Sequence, residues 1–130
     1  MPNVETSTPP NTPSPIGPYR HIAKVEQSIT IGAIAGVDPA TGEPAGIDVA
    51  SQTRQILNSF KVMLGSVGSD LDHVIHITVF LKDMSDFEAM NAAYVEGMIS
   101  HRPARTVIGV HELPKPGALL TMNLTAVTRD

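Results

Sequence analysis

A chain of 130 residues with 42% apolar content is sized for one compact domain and leaves no material for a second ordinary core. Its formal charge of −4, thirteen acidic against nine basic side chains, offers no footprint for a phosphate backbone. With 4% aromatic residues and no Trp, a base-stacking platform is also poorly supplied, so nucleic acid is not expected as a partner. Zero cysteines remove disulfides, thiolate nucleophiles and thiolate metal sites together; with no apolar run near the roughly 20 residues a membrane-spanning helix needs and no leader-like start, a cytoplasmic protein without a membrane partner is expected.

Six of the eleven prolines fall within residues 1–18 among Thr, Ser and Asn, a mixture that resists regular structure. Residues 1–15 therefore read as a flexible or extended arm, and residues 16–130 as the domain. Alternating Ile29, Ile31, Ala33 and Ala35 predict a strand, closed by turn signals at Asp38-Pro39 and Thr41-Gly42. Asp48 is a candidate N-cap for a helix whose apolar positions Ile56, Leu57, Phe60, Leu64 and Val67 recur at helical spacing, with stops at Gly65 and Gly68.

From Asp72 to Leu81 the period becomes two. Ile75, Ile77, Val79 and Leu81 fall on one face and Val74, His76, Thr78 and Phe80 on the other, the pattern of an interior strand covered on both sides. Ser85 and Glu88 have capping-box spacing and open a second helix with an inward stripe of Phe87, Met90, Asn91, Tyr94 and Met98, ending near His101 to Pro103. Two strands follow, 105–110 and 119–127, around a Pro/Gly-bearing connection. Strands, helix, strand, helix, strands make an α+β sandwich with two helices on one face of a sheet.

Arg105 stands out chemically, because it begins an otherwise apolar strand and shares its face with Val107 and Gly109. A cation on a sheet face must be paired or solvated; the alternative is a strand-end arginine that bends away to water. The last strand separates Leu120, Met122, Leu124 and Ala126 from the neutral, hydrogen-bonding Thr121, Asn123 and Thr125. If that polar face is the one carrying Arg105, the product is a pocket with one cation and uncharged partners, suited to a small carboxylate. The other reading has these residues facing solvent or a neighbouring subunit. His73 and His76 point to opposite faces of a strand and make a poor metal pair. Asp70 and Asp72 suit a turn; His101 and His111 read as structural, and His21 as a possible ligand contact.

Taken in order, Gly17-Pro18-Tyr19, Asp38-Pro39-Ala40-Thr41-Gly42-Glu43, Gln52-Thr53-Arg54-Gln55, Thr78-Val79-Phe80-Leu81, Asp86-Phe87, Asn91-Ala92-Ala93-Tyr94, Pro103-Ala104-Arg105 and Leu113-Pro114-Lys115 resemble the RidA/YjgF/YER057c, or Rid, family from about Ile16 to Val127. The resemblance implies a chorismate-mutase-like α+β subunit in a homotrimeric barrel with ligand clefts between subunits. It implies cofactor-independent, metal-free hydrolysis of small enamines and imines, such as 2-aminoacrylate, to 2-keto acids and ammonia. Arg105 matches the arginine that grips the substrate carboxylate; Tyr19 matches a cleft tyrosine, and Asn91 an asparagine of the second helix near the pocket. Gly32 stands where a serine is usual, Val107 where a cysteine is frequent, and Thr121 where a glutamate helps to place water. These departures leave two further readings open: a catabolic deaminase for an aminated ring-cleavage product of the aminomuconate type, and a non-catalytic ligand-binding or chaperone member.

Overall fold

In the computed structural model, which describes residues 2–130, the chain forms one six-stranded sheet covered on one face by two helices. The strands are Glu5–Ser7 (β1), Ile22–Val25 (β2), Ser28–Ala35 (β3), Val74–Leu81 (β4), Ala104–Gly109 (β5) and Leu120–Val127 (β6), and the helices Val49–Ser66 (α1) and Phe87–Met98 (α2). Their order across the sheet is β1-β2-β3-β6-β4-β5. All neighbours run antiparallel except β4 and β5. A parallel pair requires a crossover, and α2 supplies it.

The core lies between the helices and the sheet. Ile56, Leu57, Phe60, Met63 and Leu64 of α1 pack with Met90, Tyr94 and Met98 of α2 over Ile29, Ile31, Ile77, Val79, Leu81, Leu120, Met122 and Leu124. Burying each large apolar side chain contributes about 1.5–3 kcal/mol before the entropy of ordering it. Asp48 caps α1 as expected, its carboxylate accepting the Ser51 N–H at 3.0 Å.

Three local expectations change. The β4 register shifts between Val74 and His76, so Val74 is buried on the core side while Ile75 is 52% exposed; the bulge inverts their expected faces. In the single chain only the Ile77, Val79 and Leu81 side of β4 is buried, and His76, Thr78 and Phe80 are half-exposed. Ser85 is not the helix cap. Asp83 accepts both the Ser85 N–H at 2.9 Å and the Ser85 hydroxyl at 2.8 Å, opening a 3-10 turn at Met84–Asp86 that leads into α2. The arm takes the extended alternative: β1 pairs with β2, Thr12 and Pro13 are buried, and the Thr8 hydroxyl accepts the His21 N–H at 3.0 Å.

Candidate active site

Strand register assigns Arg105 its face. Arg105 lies opposite Ile77, and Ile77 opposite Leu124, so the guanidinium is on the helix-covered side at the sheet edge. There its Cζ sits 4.7 Å from the Tyr94 ring centroid and 5.9 Å from that of Phe87. Both rings come from α2, whose turns place Phe87, Asn91 and Tyr94 along one stripe. Among the described residues no carboxylate pairs with Arg105, so aromatic faces, not an anion, hold the cation. Burial pushes the Tyr94 phenol up, opposed by the positive charges of Arg105 and Arg102. The Tyr94 hydroxyl and the Asn91 Oδ1 are buried without a hydrogen-bond partner. Val107, on the same face, packs against the core beside Val79.

Thr121 faces the other way. It pairs with Ala35 on one side and Phe80 on the other, on the face opposite the helices. There it lines a cavity of about 220 Å³ together with Tyr19, His21, Ala33, Pro13 and Lys115, among others. The condition that the Thr121 face also carry Arg105 is therefore not met within one chain: the polar stripe and the cation lie on opposite sides of the sheet. Two of the expected residues, Tyr19 and Thr121, line the cavity, and Gly32 precedes the lining Ala33. Tyr19 stands edge-on to His21 at 5.6 Å, with its phenol oxygen accepting the Ile16 N–H at 3.3 Å. Gly32 sits in the β3 bulge, donates its N–H to the His21 carbonyl at 2.9 Å, and leaves room for a side chain, since a Cβ there would approach nothing closer than that carbonyl at 3.9 Å.

His21 lines the cavity and also clasps the arm. Its Nε2 lies 2.8 Å from the Pro13 carbonyl, which makes Nε2 the protonated nitrogen, and Nδ1 is buried without a partner. Burial lowers its pKa below the ordinary 6.5, partly opposed by the Pro13 carbonyl. Gln52 escaped the sequence reading as a site support. It is 1% exposed; its amide donates to the carbonyls of Gly46 at 2.9 Å and Gly117 at 3.1 Å, and its Oε1 accepts the Leu119 N–H at 2.8 Å, holding the Lys115 loop beside the cavity. A buried glutamine on a helix's inward face was the available signal. His73 pairs with Asp70 at 2.7 Å and His76 with the Thr106 hydroxyl at 3.0 Å.

Known proteins resemble this arrangement over nearly its whole length. The family model described as Endoribonuclease L-PSP matches residues 9–128. A RutC family protein of Pyrococcus horikoshii is 43% identical over 105 residues, 81% of this chain and 83% of that one. The 2-iminobutanoate/2-iminopropanoate deaminase of Escherichia coli is 38% identical over 109 residues, 81% of this chain and 84% of that one. The crystal structure of the YjgF gene product from E. coli superposes with a TM-score of 0.87 at 31% identity, covering 96% of this chain and 99% of that one. With the family model spanning residues 9–128, relatives above 30% identity over most of the chain and a matching fold, the chain belongs to the RidA/YjgF family.

Proposed function

We propose that the protein hydrolyses small reactive 2-imino acids, formed from enamines of the 2-aminoacrylate type, to 2-keto acids and ammonia without a cofactor. One observation carries the reading: Arg105 is a fixed cation on an aromatic shelf with no anion of its own among the described residues. A guanidinium so held presents its N–H fork to a carboxylate, which it binds through two parallel charge-assisted hydrogen bonds. Several relatives are named 2-iminobutanoate/2-iminopropanoate deaminase, which supports the same substrate class.

The opposite orientations of Arg105 and Thr121 point to a site shared between copies. Arg105, Asn91 and Val107 of one subunit meet Tyr19, Gly32 and Thr121 of the next in a cleft of a cytoplasmic homotrimer. Arg105 orients the substrate and offsets its negative charge, leaving the imine carbon more open to attack. Water, oriented by the Thr121 hydroxyl or a main-chain carbonyl, forms a C–O bond to that carbon as the C=N π pair moves to nitrogen. The tetrahedral adduct then collapses: C=O forms, C–N breaks, and the nitrogen leaves as ammonia carrying both protons of the water. Positioning of this kind lowers a barrier by several kcal/mol.

Ammonia release from enzymatically generated 2-aminoacrylate tests the reading. Arg105→Ala is expected to lower kcat/KM about a hundredfold, roughly 2–4 kcal/mol, through loss of the charge-assisted fork. A folded Arg105→Ala protein with unchanged turnover would sink the assignment. A binding-only reading draws on a different observation, that no Asp or Glu lines the cavity to take a proton from water. Thermal stabilisation by 2-keto acids without ammonia release would favour it.

A further inference from the structure

Residues 13–16 of the arm form one wall of the cavity beside Thr121, yet the stretch around them is held to the domain by very little. Four of the eight residues 9–16 are proline, which has no N–H to donate. Among the described residues, the Thr12 hydroxyl donates within the segment, to the Pro9 carbonyl at 2.6 Å, and the Ile16 N–H reaches only Tyr19, three residues on. The bond from the His21 Nε2 to the Pro13 carbonyl, at 2.8 Å, is the segment's one long-range hydrogen bond. Upstream the chain is secured again, by the Thr8 hydroxyl and by β1, and Asn11, with a φ of 63°, turns it between the two anchorages.

The His21 bond suits only a neutral ring. With its Nε2 proton given to Pro13, the imidazole takes a second proton at Nδ1, which is buried without an acceptor. An imidazolium in this place combines a buried charge with an unpaired N–H, and both costs vanish when the ring reaches water. Among the described residues no carboxylate pairs with His21 to offset them. The ionisable groups around it are Tyr19, edge-on with ring centroids 5.6 Å apart, Arg20, whose guanidinium donates to the Thr6 carbonyl, and Lys115 of the same cavity lining. Asp38 and Glu43 are exposed on the turn whose Gly42 lines the cavity, and Glu5 lies opposite Lys24 in the β1–β2 pair. The neighbouring β3 brings no ionisable side chain. Burial holds the His21 pKa below the ordinary 6.5, against the pull of the Pro13 carbonyl.

We propose that His21 is an acid-released latch: its neutral ring holds residues 9–16 against the cavity, and its protonation frees that segment and uncovers the apolar wall of Ile34 and Val37. These two side chains are 2% and 5% exposed with the segment in place. The proton acts as a ligand that binds the open form more tightly than the closed one, which is what a shift of population requires. The segment is accordingly closed at neutral pH and opens as the pH falls below 6.5, where a freed imidazole charges first. The inference goes beyond the deaminase reading and does not depend on it, because latch, segment and wall all belong to one chain.

NMR of the full chain between pH 7 and pH 5 tests the latch without any substrate. Relaxation of the Asn11, Thr12, Ser14 and Ile16 amides reports motion of the segment, and a neutral soluble nitroxide reports access to the Ile34 and Val37 methyl groups. In the native protein these amides are expected to become mobile, and the nitroxide broadening of both methyl sets to grow severalfold, at the midpoint of the His21 ring titration. Signals of the core residues Phe60 and Leu64 are expected to stay as they are. His21→Gln keeps a donor for Pro13 and does not titrate, so it remains closed throughout; His21→Ala is open at both ends of the range.

An ordered segment at pH 5 beside a charged His21 ring overturns the proposal, as does a ring still neutral at pH 5. Opening of His21→Gln in parallel with the native protein would assign the change to another group. Loss of the Phe60 and Leu64 signals together with the arm would make it global unfolding. Either result removes the latch and leaves the deaminase reading untouched.

Discussion

His21 shows how one side chain can serve both the fold and the edge of a site. Its neutral form donates through Nε2 to the Pro13 carbonyl; a second proton would arrive at Nδ1, which is buried and has no acceptor. Burial accordingly holds the folded pKa below the unfolded value of 6.5. The sign follows from linkage. Above pH 6.5 both states are neutral and the contribution is fully present; as pH falls below 6.5 the unfolded chain takes the proton first, so stability is lost until the folded pKa is passed. Urea unfolding at pH 7 and pH 5 is expected to show a larger loss for the native protein than for His21→Gln, which keeps a donor for Pro13 but does not titrate. Equal losses would show that this imidazole is not coupled to folding. The sequence marked His21 only as a possible ligand contact, because its partner Pro13 lies in a segment without periodicity.

Elements were easier to read than their ends and faces. The spacing from Ile56 to Leu64 and the alternation through β6 follow from burial on one side and survive in the structure almost residue for residue. The start of α2 does not, because Ser85 and Glu88 fit a capping box while Asp83, two residues earlier, captures Ser85 itself. Asp83→Ala is therefore expected to lower the stability of the protein measurably, whereas Glu88→Ala leaves it nearly unchanged. Thermal or urea unfolding of the pair decides it, and the reverse order would restore the capping box. The same local competition explains β4. Its apolar residues suit either face, so nothing in their alternation reveals the bulge that exposes Ile75.

At the scale of the whole molecule, the two halves of the proposed site lie on opposite faces of one sheet, so assembly is what would join them. Two variants, Arg105→Ala and the cavity-filling Ala33→Trp, would each damage a different half of every site in a pure assembly. Mixed by unfolding and refolding together, some clefts would pair an intact half with an intact half. Activity is then expected to return to roughly a quarter of that of the native protein if subunits mix at random, well above either variant alone. Failure to recover activity, with mixing verified by mass, would place the whole site in one chain.

Much of this molecule is legible from its residues alone: the order of strands and helices from β3 onward, though not β1 and β2, the amphipathic α1, the neutral polar stripe of β6, and Arg105 as the cation to explain. These are local or periodic properties, set by burial and repeating every two or 3.6 residues. Which face Arg105 occupies is not local. It depends on register carried from β6 through β4 to β5, where Leu124, Ile77 and Arg105 align on the helix side and Thr121 and Phe80 on the other. The arm likewise acquires its role only in three dimensions, since Pro13 and Ile16 wall the cavity through hydrogen bonds that no pattern of prolines specifies. Periodicity reports which residues must be covered; tertiary structure decides what covers them, because register and long-range hydrogen bonds have no signature in a short window of sequence.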